Sequence, residues 1–152
     1  MRKPVIAAIL TALGAGFALA HSGATGIVKE RMDHMGHIGK ATKAIGQMIH
    51  GKAEYDPEKV RLAARAIAKS GGKAMTAMFP ENSIKGPSEA RPEIWTNWDR
   101  FVAMALSLKT TAQALADGAD NPMDGEEAAP DKLFAAMAGT CKACHKEFRI
   151  KK

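Results

Sequence analysis

Two cysteines and a histidine lie together near the C-terminus, in the run Cys141-Lys142-Ala143-Cys144-His145, and these are the only cysteines of the 152-residue chain. Their types and spacing suit one chemistry in particular. Two thiols three residues apart can each add across one of the two vinyl groups of a haem, and the next imidazole can reach the iron from the same helical turn. Competing chemistries ask for more than the chain supplies. A dithiol redox pair should open a helix just after a strand, where the helix N-terminus lowers a thiol pKa, but this pair falls late in a helical pattern. A zinc site would need further ligands at suitable spacing, and the remaining histidines are far upstream. A disulfide between residues three apart would constrain the unfolded chain very little. The motif therefore points to one covalently bound haem c, attached through Cys141 and Cys144, with its iron held by His145.

The elements that must position this motif are legible in the hydrophobic spacing. From about 27 to 50, Val28, Met35, Ile38, Thr42, Ile45 and Ile49 recur at steps of seven, three and four, a heptad-like seam. A second helix opens at Asp56-Pro57-Glu58, an N-cap followed by a proline suited to the first helical position. It carries Val60, Ala64, Ile67, Met75 and Met78 to about Phe79, with Gly71-Gly72 weakening its middle. A loop spans 80 to 91. Pro92 then starts a third helix, in which Ile94, Trp98, Phe101, Ala105, Leu108, Ala112 and Leu115 form a seam that ends at Gly118.

An acidic loop, expected to be exposed, leads to Pro130 and a fourth helix that runs to about Arg149. There Leu133 or Phe134, Met137, Cys141, Cys144 and Phe148 share one face, so a haem would replace side chains at one end of the core. No strand-like alternation competes. Four helices of comparable length with short connections predict an all-α fold, an antiparallel up-down-up-down four-helix bundle with covalently attached haem.

Residues 1–20 have a different character. Arg2 and Lys3 precede an apolar run from Val5 to Leu13, and small residues end in Ala18-Leu19-Ala20, the pattern of a secretory signal peptide cleaved before His21. The run is short for a bilayer span, and no second one follows, so no membrane span is expected after cleavage. One domain of 21–152, exported to the periplasm, is the expectation. Export agrees with the motif, since haem of this type is attached outside the cytoplasm.

The formal charge is +6, and loss of Arg2 and Lys3 leaves 20 basic against 16 acidic residues, or +4. With no basic run interleaved with aromatics, nucleic-acid binding is not indicated. Lys142, Lys146, Arg149, Lys151 and Lys152 nevertheless crowd the motif's end of the chain. A positive field there could steer an acidic redox partner protein, although a helix C-terminus also attracts cations for its dipole alone.

Several strings together make the chain from about 27 to 152 resemble a known family. These are Val28-Lys29-Glu30-Arg31, Met78-Phe79-Pro80, Ile94-Trp95 with Phe101, and, most specific, Gly139-Thr140-Cys141-Lys142-Ala143-Cys144-His145-Lys146-Glu147-Phe148-Arg149. The family is class II cytochrome c, the cytochrome c′ and cytochrome c556 group. Within it the residue four after the helix-one arginine separates two types. A bulky apolar residue there shields an open sixth iron position in cytochrome c′, whereas a methionine there binds the iron in the low-spin c556 type. The resemblance thus implies Met35 as an iron ligand beside His145. Spacing alone favours Met35 as a core filler, and Met32 is its nearest rival as a ligand.

The resemblance also implies that Arg31 meets a haem propionate, against the alternative of an ordinary exposed arginine, and that Arg149 sits by the proximal imidazole. His34 and His37 fall off the seam and, with His21 and His50, read as surface histidines. Trp95 and Trp98, about 300° apart on a helical wheel, cannot both face the seam, so one of them packs against core or haem. The function implied is a periplasmic c-type cytochrome carrying single electrons through a six-coordinate His/Met haem. The alternative is a five-coordinate cytochrome c′ that binds nitric oxide or carbon monoxide. No constellation of acid, base and nucleophile accompanies the motif, so no enzyme is expected. Monomer and homodimer both remain open.

Overall fold

A computed structural model of the chain describes residues 23–123 and 128–150. The signal peptide through Ala20, the surface reading of His21, and Lys151 and Lys152 of the basic cluster lie outside the described residues. The helices are α1 (Gly26–Ile49), α2 (Pro57–Ser70), α3 (Lys73–Thr76), α4 (Glu93–Thr96), α5 (Trp98–Asp117) and α6 (Pro130–Phe148). The four long ones close a ring, with α1 against α2, α2 against α5, α5 against α6 and α6 against α1. This order is the up-down-up-down four-helix bundle expected from the seams. The α2–α5 side is the broadest and the α1–α6 side the narrowest. No helix among the described residues is long and apolar enough to cross a membrane.

Ile45, Val60, Ala64, Ala112, Leu115 and Met137 are wholly buried where the four helices meet. Each large apolar side chain among them contributes about 1.5–3 kcal/mol relative to an exposed position. Asp56 caps α2 as its sequence suggests: the Oδ1 atom accepts the Lys59 backbone N–H at 3.1 Å, and Pro57 occupies the first turn. Its carboxyl is held below the usual range, first by the Lys59 side chain and then by the Lys59 backbone N–H. Because the folded pKa is depressed, the cap's contribution is present above the unfolded value and is lost as pH falls through the folded one. Asp56→Ala should lower Tm by a few degrees at neutral pH. The difference from wild type should vanish in strongly acidic buffer, as thermal unfolding followed by circular dichroism would show.

The second helix does not run to Phe79. It stops at Ser70, and the glycine pair after it meets the backbone of α5. Gly72, at φ +58°, donates its N–H to the Ala105 carbonyl at 2.8 Å. A Cβ on Gly71 would stand 2.9 Å from the Lys109 backbone nitrogen. The glycines therefore terminate α2 in order to admit another helix closely, and α3 resumes the chain beyond them. Gly71→Ala should cost about 1–3 kcal/mol, since helix backbones and not a flexible side chain must move apart. Urea denaturation would measure it.

The third predicted helix is likewise divided. Asn97, at φ −123° and ψ 43°, separates α4 from α5. The break shifts the helical phase, so Trp98 leaves the expected seam and is 37 % exposed. Trp95 is the tryptophan that packs against the core, and its Nε1–H donates to the Phe79 carbonyl at 3.0 Å. Of the acidic loop before α6, Asp124, Glu126 and Glu127 lie outside the described residues. Its ends, Ala119 and Ala129, are buried, and Asn121 Nδ2 donates to the Ala128 carbonyl at 2.8 Å. One antiparallel bridge joins Ala90 to Arg149, tying the α3–α4 loop to the end of α6.

Candidate haem site

Residues 141, 144, 145 and 148 recur at helical steps of three and four, so α6 presents them on one face. That face looks onto a cavity of about 800 Å³, which Cys141, Cys144, His145 and Phe148 line from α6. The volume lies within the ~300–1,000 Å³ common for cofactor sites. Opposite chain segments complete the wall, including Met35 of α1, Ile94 of α4 and Phe101 of α5. Phe101 anchors an aromatic cluster, edge-on to Phe79 at 4.8 Å and to Phe148 at 5.5 Å between ring centroids.

The two thiols are half-buried and not bonded to each other. Burial pushes both pKa values up, that of Cys144 to about 11 with Cys141 and Glu147 adding to the effect. Such thiols remain protonated at neutral pH, which is the reverse of what a dithiol redox pair needs. The exposed His145 imidazole has its pKa lowered, first by desolvation and then by the Arg149 charge, with Glu89 opposing. A lowered value favours the neutral ring, the form that binds a metal.

On the α1 side, Met32, Met35, Gly36 and Gly39 all line the cavity. A Cβ added to either glycine would meet nothing within 4 Å, so the space before them is open. Among the residues singled out from the sequence, Met35, Arg31, Cys141, Cys144 and His145 are thus brought to one cavity, and Met32 with them. Met104 of α5 joins the wall as well. It lies three after Phe101 on the same helical face, a signal the strict seam passed over.

Arg31 is not an ordinary exposed arginine, for it is only 5 % exposed. Its Nε and Nη2 donate to the Met78 carbonyl at 3.1 and 2.8 Å, Nη2 also to Ser83 Oγ at 2.6 Å, and Nη1 to Ser88 Oγ at 3.2 Å. The Phe79 ring lies 4.1 Å below the guanidinium carbon. Desolvation lowers its pKa. A guanidinium buried among neutral oxygens is a costly arrangement, and one that an anionic group in the cavity would relieve. Free thiols, an imidazole favoured in its neutral form, a placed cation and an open apolar volume are together what a haem requires, and a haem fits here.

The family model described as Cytochrome C′ matches residues 26–149. The chain belongs to this family. A cytochrome c-556 of Agrobacterium tumefaciens (strain apple 185) is 36% identical over 124 residues, covering 80% of this chain and 93% of the relative. A solved cytochrome c′ from Rhodopseudomonas palustris matches with a TM-score of 0.73 at 31% identity, over 85% of this chain and 99% of that one. A nitric oxide complex of a variant cytochrome c′ from Alcaligenes xylosoxidans matches with a TM-score of 0.66 at 25% identity, over 82% of this chain and 94% of that one. Proteins of the cytochrome c′ family bind one covalently attached haem c, and so does this one.

Of the other polar residues of this cytochrome, Ser88, Glu89 and Arg149 line the cavity, and His34, His37 and His50 do not. His34 is not a surface histidine: it is half-buried, and its Nε2–H donates to the Ser70 carbonyl at 2.9 Å, tying α1 to the end of α2. His37 and His50 are exposed, His50 edge-on to Phe134 at 6.0 Å. Lys142 and Lys146 remain exposed on α6. Arg149 is partly balanced, since its Nε donates to Glu89 Oε2 at 2.7 Å. Ser83, Ser88 and Glu89 were placed in a loop by the sequence, with no role. Only the return of that loop to α1 and α6 gives them one.

Proposed function

We propose that this cytochrome binds a small neutral gas, nitric oxide or carbon monoxide, at a five-coordinate haem iron, as the cytochrome c′ type does. Cys141 and Cys144 hold the haem by thioethers and His145 supplies the one protein ligand to the iron. The haem supplies the metal that binds the gas. The observation that carries the reading is the α1 wall of the cavity, made by Met32, Met35, Gly36 and Gly39. These residues present an apolar stretch of wall, with open space before both glycines, although Arg31, Thr42 and Lys43 of the same helix also line the cavity. The family model over 26–149 and the nitric oxide complex of a relative support it. Arg31, already held by Ser83, Ser88 and Met78, would meet an acidic edge of the group by a charge-assisted hydrogen bond from its remaining Nη1–H. No catalysed reaction is assigned.

A second reading rests on Met35. Its thioether is a soft ligand on the same cavity as His145, and the c-556 relative supports a six-coordinate carrier of single electrons. In that case exposed Lys142 and Lys146 would face an acidic redox partner. In either case the N-terminal pattern of residues 1–20 supports a periplasmic location. Absorption spectra with and without carbon monoxide test the choice. A high-spin ferrous form that takes up the gas readily supports the first reading. A low-spin ferric form with a sulfur-to-iron charge-transfer band, and slow gas uptake, replaces it with the second.

A further inference from the structure

The α3–α4 loop returns to the end of α6 through two backbone hydrogen bonds, Arg91 N–H to the Phe148 carbonyl at 3.0 Å and Ile150 N–H to the Glu89 carbonyl at 2.8 Å. This register sets the side chain of Glu89 against that of Arg149. Arg149 Nε donates to Glu89 Oε2 at 2.7 Å, and Nη2 lies 2.5 Å from the same oxygen. The carboxylate is the more sheltered partner, its side chain 24% exposed against 53% for the arginine. Both line the cavity, as does His145 one helical turn before Arg149. An opposed pair of charges therefore stands at the cavity edge beside the imidazole. His145 feels each of them, and with opposite sign.

We infer that Glu89 is a positioning residue for the iron centre: its carboxylate holds the Arg149 guanidinium beside His145 and offsets part of its charge, so that the pair sets the field on the iron-bound imidazole. The inference rests on His145 as the iron ligand in the proposed function, and it holds whether or not Met35 also binds. Second-sphere carboxylates commonly act on a metal through the ligand they orient. Here the action is indirect, through an arginine. Without the carboxylate, an unbalanced cation near the centre disfavours the more positive ferric state and raises the midpoint potential. Without the guanidinium the remaining carboxylate favours ferric iron and lowers it. The backbone bridge uses only the Glu89 carbonyl, so a change of its side chain leaves the loop tied to α6.

Redox titration of the holoprotein at low ionic strength tests this, using Glu89→Gln, Glu89→Asp, Arg149→Gln and the Glu89→Gln/Arg149→Gln pair. Thermal unfolding of each variant accompanies it. The potential should rise in Glu89→Gln, fall in Arg149→Gln, and return close to wild type in the double variant, with Glu89→Asp between wild type and Gln. Shifts of opposite sign that cancel in the double variant are the mark of two opposed charges acting on one centre. Single variants with unchanged potentials, whatever their Tm, would reduce the pair to a structural tie and overturn the inference. Should a Gln variant not fold, Glu89→Asp decides alone: an unmoved potential overturns the inference, and a small rise supports it. His145→Ala separates this from the underlying reading. If that variant kept the wild-type haem spectrum, His145 would not be the ligand, and the proposed site would fail before the role of Glu89 arose.

Discussion

Cys141→Ala/Cys144→Ala protein will carry no covalently bound haem, and its bundle will pack poorly. The chain has no other cysteine, so no thioether can form elsewhere. The cavity these thiols line is about 800 Å³ and is walled by apolar side chains of several elements, among them Ile94, Phe101 and Phe148. Left without its large apolar occupant, that end of the core loses van der Waals partners on every side, and empty volume in a core is destabilising in proportion to its size. Helix content in the far ultraviolet should largely persist, because Ile45, Leu115 and Met137 are wholly buried in a part of the core that does not line the cavity. Cooperativity and Tm should fall sharply. Acid–acetone extraction, which removes haem held only by coordination, would leave the double variant colourless and the wild type red. Colour retained by the denatured double variant would refute the attachment.

Met35→Ala should accelerate carbon monoxide binding to the ferrous protein by about tenfold or more. A side chain that covers an otherwise open iron position must move aside for each ligand, and every 1.4 kcal/mol removed from that barrier is a factor of ten. Met35 lines the cavity from α1, and truncation to Ala deletes most of its length. Met32 lines the same cavity one turn earlier and serves as the control, Met32→Ala changing the rate far less. Stopped-flow mixing measures both. The spin state carries equal weight. A five-coordinate native protein stays high-spin in Met35→Ala, whereas a native low-spin spectrum that turns high-spin in this variant would show a broken sulfur–iron bond and establish the electron-carrier reading.

Legibility from the sequence followed the range of the interaction. The motif at 141–145, the seams of α1, α2, α5 and α6, and the cap at Asp56 are all local, since helical geometry places residues three and four apart on one face without reference to the rest of the chain. Where a helix had to yield to a neighbour, the pattern misled. The seam through Ile94, Trp98 and Phe101 assumed an unbroken helix, and the turn at Asn97 put Trp98 at the surface and Trp95 inward. Gly71-Gly72 read as a weak point in a helix because propensity does not register a second backbone passing 2.9 Å from an absent Cβ.

By itself, then, the sequence determined the haem chemistry, the four amphipathic helices and the side of α6 that bears the thiols. Only the tertiary structure decided the surroundings of that chemistry. Arg31 meets Ser83 and Ser88 across 52 and 57 residues, and Arg149 meets Glu89 across 60. Such pairings leave no periodic trace in the chain. They arise when the bundle closes and a loop without regular spacing is folded back over α1 and α6, where Arg31 is buried among neutral oxygens and Arg149 is set against a carboxylate.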